Sequence, residues 1–271
     1  MINKTFKIIT LLALVLFIGG CEIEPIQQLP ERNYTLTWSD EFDGNSGTTL
    51  DTIKWAYDIG NGENGWGNGE LQSYTSNPSN ISIDGKGNLV ITAFNFNGNY
   101  TSARINTKGR FAQKYGRMEA RIKTPTGKGV WPAFWMLGEN IDDVPWPNCG
   151  EIDIMEQKGS QSNITYGSLH GPGYSGGNAA TTPYALRDAR FDTDFHIYAV
   201  EWGKDYVDFF VDNFLFKRIT PNDVTGDWVY DQPFYILLNV AVGGSFDGSP
   251  NANTIFPQSM LVDYVRVYQE L

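Results

Sequence analysis

Cysteine and histidine are almost missing from this chain: its 271 residues include only Cys21 and Cys149, and only His170 and His196. So few thiols and imidazoles exclude a disulfide framework, a cysteine and histidine metal centre, and a cysteine–histidine nucleophile pair. Cys149 is therefore expected to serve packing. Positive charge is short as well, with 20 Lys and Arg against 31 Asp and Glu and a net charge of −11. That balance excludes the basic patches that nucleic acid or an anionic membrane surface requires, and it disfavours sulfated glycans. No segment longer than about ten residues carries helical periodicity, and no internal repeat is present. The glycine-rich stretch Gly60 to Gly69 lacks a following Gly-Lys-Ser/Thr, so it is no phosphate cradle.

What is present points to strands. With 41% apolar and 14% aromatic residues the chain can bury a full core, and its 29 glycines suit many tight turns. Residues 1–20 read as a secretory signal: Lys4 and Lys7 precede the apolar run Ile8 to Ile18, too short to span a bilayer, and then Gly19-Gly20-Cys21. The run Ile18-Gly-Gly-Cys21 resembles a bacterial lipobox, which implies cleavage before Cys21, lipidation of that cysteine, and an outer-membrane lipoprotein exposed at the cell surface. The alternative is an ordinary signal peptide. Residues 21–33, with Pro25, Gln27, Gln28 and Pro30, read as a tether, and residues 34–271 as one domain.

The chemistry is concentrated in Pro147 to Ser160. Glu151, Asp153 and Glu156 alternate with Ile152, Ile154 and Met155 in a short stretch bounded by Pro147 and Gly159, which reads as a strand. On a regular strand Glu151 and Asp153 share a face, while Glu156, five positions after Glu151, points the other way. One extra residue near Met155, a β-bulge, returns Glu156 to the face of the other two acids. Three carboxyl groups so placed cannot all stay ionised, and at least one should keep its proton at neutral pH. A carboxylate and a protonated acid about 5–5.5 Å apart suit glycoside hydrolysis with retention of configuration. The plainer possibility is a solvated acidic strand face. Trp131 and Trp135, in Val130-Trp-Pro-Ala-Phe-Trp-Met-Leu137, offer the flat aromatic surfaces that a sugar cleft uses.

Glu151-Ile-Asp-Ile-Met-Glu156, preceded by Trp131-Pro-Ala-Phe-Trp-Met-Leu-Gly138 and Trp146-Pro-Asn-Cys-Gly150, resembles the catalytic region of glycoside hydrolase family 16, most of all its laminarinase and mixed-linkage glucanase members. The resemblance implies a jelly-roll β-sandwich of two curved antiparallel sheets, of the concanavalin A type, with the cleft on the concave face. It implies a monomeric, retaining endo-β-glucanase on neutral β-1,3 or mixed β-1,3/1,4 glucan, with no cofactor for catalysis. Glu151 becomes the nucleophile, Glu156 the acid and then base, and Asp153 the neighbour that sets the protonation of Glu151. An agarase-type galactan hydrolase shares this acid motif, and a glycan-binding lipoprotein without activity is the alternative of another class.

Other assignments follow the same resemblance. In Gly60 to Tyr74, Asn68 and Glu70 line the glycone side of the cleft, although the loop by itself also reads as a flexible surface loop. Arg104 either anchors its strand or faces the cleft, and the resemblance favours the cleft. His170 ends the strand after the acids and joins them; His196 is structural. A structural calcium ion would take Glu41, the Gly87 carbonyl and Asp263, where the alternative makes Asp263 an ordinary surface acid. Tyr100 to Asn106 reads as one strand, Tyr115 to Pro125 as a half-wet strand, Pro172 to Arg190 as a glycine-rich loop, and Gln232 to Gly244 as a central apolar strand. Asp212-Asn213 reads as a tight turn. About a dozen short strands make two stacked sheets.

Overall fold

Short alternating runs, cut by glycine and Asx turns, become seventeen strands among the described residues of the computed structural model, which describes residue 27 and residues 32–271. They pair into one sheet of ten strands and one of seven. Met118, Ala120, Ile122, Val262, Val265 and Val267 of the larger sheet share a single buried cluster with Phe134, Met136, Ile152, Ile154, Leu169, Ile236 and Leu238 of the smaller. Burying each such side chain contributes roughly 1.5–3 kcal/mol, so this interior holds the sheets face to face. The β-sandwich expected from the sequence is the fold. Cys21 and the signal lie outside the described residues. Among those described, no helix is long and apolar enough to cross a membrane.

The alternation in Gly116–Lys123 is as expected, with Met118, Ala120 and Ile122 fully buried, and Glu119 joins them because Arg117 meets it at 2.8 Å. Asp212 and Asn213 turn the chain with φ of 50° and 66°, the left-handed pair that a hairpin turn asks for. Two expectations need correction. Tyr100 to Asn106 is not one strand: it breaks at the buried Ala103 into Asn99–Ser102 and Arg104–Asn106, which belong to different sheets. The segment Pro172 to Arg190 is not all loop, because Ala180–Ala185 pairs along Ile164–His170 as an edge strand. With backbone partners on one side only, that strand has a weak apolar pattern and escapes detection.

The smaller sheet carries the site. Its order is Ala180–Ala185, Ile164–His170, Glu151–Glu156, Val130–Gly138, Phe234–Val242, Arg104–Asn106 and Ala56–Asp58, and every neighbour pair is antiparallel. Phe234–Val242, buried at all nine positions, is an interior strand as its composition demanded. Side chains alternate across these strands, so Val130, Phe134 and Met136 enter the core while Trp131 and Trp135 stand on the opposite face.

Candidate active site

Cross-strand partners in an antiparallel sheet point the same way, and on the open face this lines side chains up in rows. One row runs Asp58, Arg104, Asn239, Ala133, Glu156 and Tyr166. The next runs Asn106, Leu237, Trp135, Asp153, Ser168 and Thr181. A third holds Leu137, Glu151 and His170. The three acids thus occupy adjacent rows on one strand, which is possible only because the strand is irregular. Asp153 pairs with Trp135 and Met155 with Phe134, leaving Ile154 as an extra residue, and on the other side Ile154 and Met155 together face Gly167. The bulge expected near Met155 is there. Gly167 is required opposite it, since a Cβ at that position would come 2.6 Å from the buried Phe209 ring.

Ile152, Ile154 and Met155 all enter the core, and Glu151, Asp153 and Glu156 all line one cleft with Asn68, Glu70, Arg104, Trp131, Trp135 and Asn239. Every residue assigned to catalysis or to the cleft from the sequence is therefore here, His170 among them. Its Nε2 lies 3.0 Å from Asp153 Oδ2 and 3.7 Å from Glu151 Oε1. Indole N–H groups hold the two glutamates: Trp146 Nε1 donates to Glu151 at 2.8 Å, and Trp131 Nε1 donates to Glu156 at 3.0 Å.

Burial dominates the proton affinities. It pushes Glu151 up to about 8, with the neighbouring charge of Asp153 as the second cause. Asp153 is pushed up to about 7 by burial, while its hydrogen bond with Glu151 pulls the other way. Glu156 rises too, first through burial and then through Asp153. Glu156 is buried while Glu151 is only partly so, and Glu156 is therefore the acid that water stabilises less as an anion. Crowding and burial together leave the site with protons to donate at neutral pH, and Glu151 attacks only from its ionised form.

One side of the cleft is a hydrogen-bonded wall. Glu70 accepts from Asn68 Nδ2 at 3.1 Å, from Gln72 Nε2 at 2.6 Å and from Tyr74 O–H at 3.2 Å. Arg104 forms an ion pair with Asp58 at 2.8 Å, and its guanidinium lies 4.6 Å from the Trp66 ring centre and 4.8 Å from that of Trp135. It anchors its strand and lines the cleft at once. Trp66 takes up a left-handed backbone with φ of 56° to reach this position. His196, paired with Asp212 at 2.7 Å away from these acids, is structural.

Sequence reasoning missed Trp146, Asn239, Tyr74 and Asp58 as members of the site. Asn239 carried a signal, being the only polar side chain of an apolar strand; it accepts from Trp135 Nε1 at 2.7 Å and donates to Tyr74 Oη at 3.1 Å. The donors suggested for calcium are otherwise engaged. Glu41 accepts from Arg266 through both oxygens, at 3.0 and 2.7 Å, and Asp263 accepts from Arg121 at 2.6 Å. The side chains as placed do not fit a calcium ion, which would have to displace two arginine pairs.

The sequence pattern described as Glycosyl hydrolases family 16 matches residues 68–266, including every cleft residue above except Asp58 and Trp66. The chain belongs to this family. It is 40% identical over 250 residues to the "Beta-glucanase" of Rhodothermus marinus, spanning 88% of this chain and 86% of that protein. It is 40% identical over 265 residues to the "Glucan endo-1,3-beta-glucosidase A1" of Niallia circulans, where 87% of this chain matches 38% of a longer protein. Among solved structures, the laminarinase catalytic domain from Thermotoga maritima matches with a TM-score of 0.82 and 45% identity, over 88% of this chain and 99% of that one. Family 16 membership therefore rests on sequence and on fold alike.

Proposed function

We propose that this chain is a retaining endo-β-glucanase that hydrolyses β-1,3 or mixed β-1,3/1,4 glucan. One observation carries the reading: the bulge at Ile154 returns Glu156 to the face of Glu151 and Asp153, inside a cleft walled by indoles. The names of the relatives, a glucanase and a glucan endo-1,3-glucosidase, support glucan over galactan as substrate.

In this mechanism Glu151, in its ionised form, attacks the anomeric carbon while Glu156, protonated through its burial, gives its proton to the departing glycosidic oxygen. The Glu151–sugar ester then breaks as Glu156 takes a proton from water and that water attacks the same carbon. Asp153, 2% exposed and next to Glu151 on the strand, keeps a proton near the nucleophile before the first step. Incubating the protein with laminarin and with barley glucan, and following new reducing ends and their anomeric form by proton NMR, tests the reading. Net retention with β-anomer forming first is expected; initial α-anomer, or no reducing ends from either polymer, overturns it.

The location is part of the same proposal. Cleavage before Cys21 and acylation of that cysteine would hold the enzyme at the outer membrane, the tether giving the cleft access to polymer. Labelling with a fatty-acid analogue, lost in a Cys21→Ala variant, tests it.

A further inference from the structure

The assigned sugar-binding residues Asn68, Glu70 and Arg104 all lie on one side of the acid strand, yet the open face of the sheet continues past it. The strand beyond, Ile164–His170, brings Tyr166 directly opposite Glu156. A ring from elsewhere in the chain completes this region. Phe246, in the short turn Gly244–Asp247, lies 5.0 Å from the ring of Trp131 and 5.4 Å from that of Tyr166, so it bridges the acid strand at its Glu156 end. Above the two rings stands Lys158, its Nζ 4.7 Å from the Phe246 centre and 5.2 Å from that of Tyr166.

The turn that presents Phe246 is tied down with more than surface contacts. Asp247, 4% exposed, accepts from the Gly129 N–H at 2.8 Å, the Ser160 N–H at 3.2 Å, Ser160 Oγ at 2.5 Å and Lys128 Nζ at 3.1 Å. Gly129 leads into the strand of Trp131 and Ser160 follows the strand of Glu156. A buried carboxylate therefore fixes Phe246 relative to both residues that meet at the proton donor, and a contact so fixed loses little entropy on binding.

We infer that Phe246 and Tyr166, whose rings meet edge to face at 76°, form with Lys158 as a hydrogen-bond donor the corner that seats the glucose unit on the leaving side of the scissile bond, and that Asp247 is the positioning residue that fixes it. The inference rests on the glucanase reading, because the leaving sugar must lie where Glu156 can protonate its oxygen. Partly exposed aromatic side chains beside that oxygen suit the apolar face of a pyranose ring, and the ammonium suits its hydroxyls. Since the same corner would hold an incoming sugar, it also sets the share of glycosyl transfer against hydrolysis.

The test compares kcat/KM on a β-1,3-linked glucohexaose with that on an aryl β-laminaribioside, whose leaving group is not a sugar. In Phe246→Ala the ratio of hexaose to aryl glycoside is expected to fall about tenfold, and transfer products to fall with it. Asp247→Asn is expected to move the ratio the same way by a smaller factor, and Phe246→Trp to preserve it. Should the alanine variant melt early, Phe246→Leu keeps the packing volume without a flat ring and carries the same expectation. An unchanged ratio in Phe246→Ala or Phe246→Leu, or equal losses on both substrates, overturns the inference. A wild-type protein inert on both substrates overturns the glucanase reading and this inference with it.

Discussion

The backbone N–H of Gly176 donates to Nδ1 of His170 at 3.0 Å. A ring nitrogen that accepts has no proton, so in the neutral imidazole the proton sits on Nε2, the atom 3.0 Å from Asp153 and 3.7 Å from Glu151. The loop after the histidine strand thus decides which ring atom faces the acids. Long-range proton–nitrogen NMR, simple with only two histidines in the chain, is expected to show the Nε2–H tautomer at His170. A proton on Nδ1 would contradict the arrangement.

Glu151→Gln and Glu156→Gln keep shape and hydrogen-bonding capacity while removing the nucleophile and the proton donor. Each is expected to lower kcat on polymer by about 10³-fold or more while binding persists. Azide should rescue Glu151→Ala on an activated aryl glycoside, giving a glycosyl azide of inverted configuration. Full activity in Glu151→Gln would end the assignment.

Stability should depend on pH through the same residues. Folding raises Glu151 from 4.5 to about 8, so between those values the folded chain holds a proton that the unfolded chain has released. Stability contributed by this group is therefore present at low pH and lost as pH climbs toward about 8. Glu151→Gln removes that loss, and its Tm is expected to exceed that of wild type by more at pH 8.5 than at pH 5. Differential scanning calorimetry at the two pH values gives the comparison, and equal differences would contradict the cause given for the shift.

Asp247→Ala strands the N–H groups of Gly129 and Ser160 that the carboxylate satisfies. The expected cost is about 3 kcal/mol, or about 6–12 °C in Tm for a domain of this size. A drop below about 1 °C in a thermal melt would mean that the turn is held by something else.

Arg104→Lys keeps the charge but loses the flat fork held between Trp66 and Trp135 and paired with Asp58. If Arg104 contacts glucan, KM on laminarin should rise about tenfold with kcat little changed. A fall in Tm with KM unmoved would leave it as a strand anchor alone.

The acid strand was legible because its irregularity is written locally. An offset of five from Glu151 to Glu156 conflicts with a period of two if both are to share a face, and an inserted residue reconciles them. The edge strand Ala180–Ala185 was not legible, and neither was the break at Ala103, since both are set by which neighbour each backbone meets. Trp146 and Phe246 stayed hidden for a related reason. They lie on turns, where no periodicity reports direction, and reach Glu151 and Trp131 only through the packing of distant segments.

The sequence by itself determined the stacked sheets and the three carboxyl groups on one face, because alternation and glycine punctuation are properties of consecutive residues. Tertiary structure alone made burial the first cause holding protons on those carboxyl groups, and it alone decided the tautomer of His170, the engagement of Glu41 and Asp263 by arginines, and the bridge of Phe246 across Glu156. Each depends on desolvation or on a partner far away in the chain, and neither is encoded in the order of neighbouring residues.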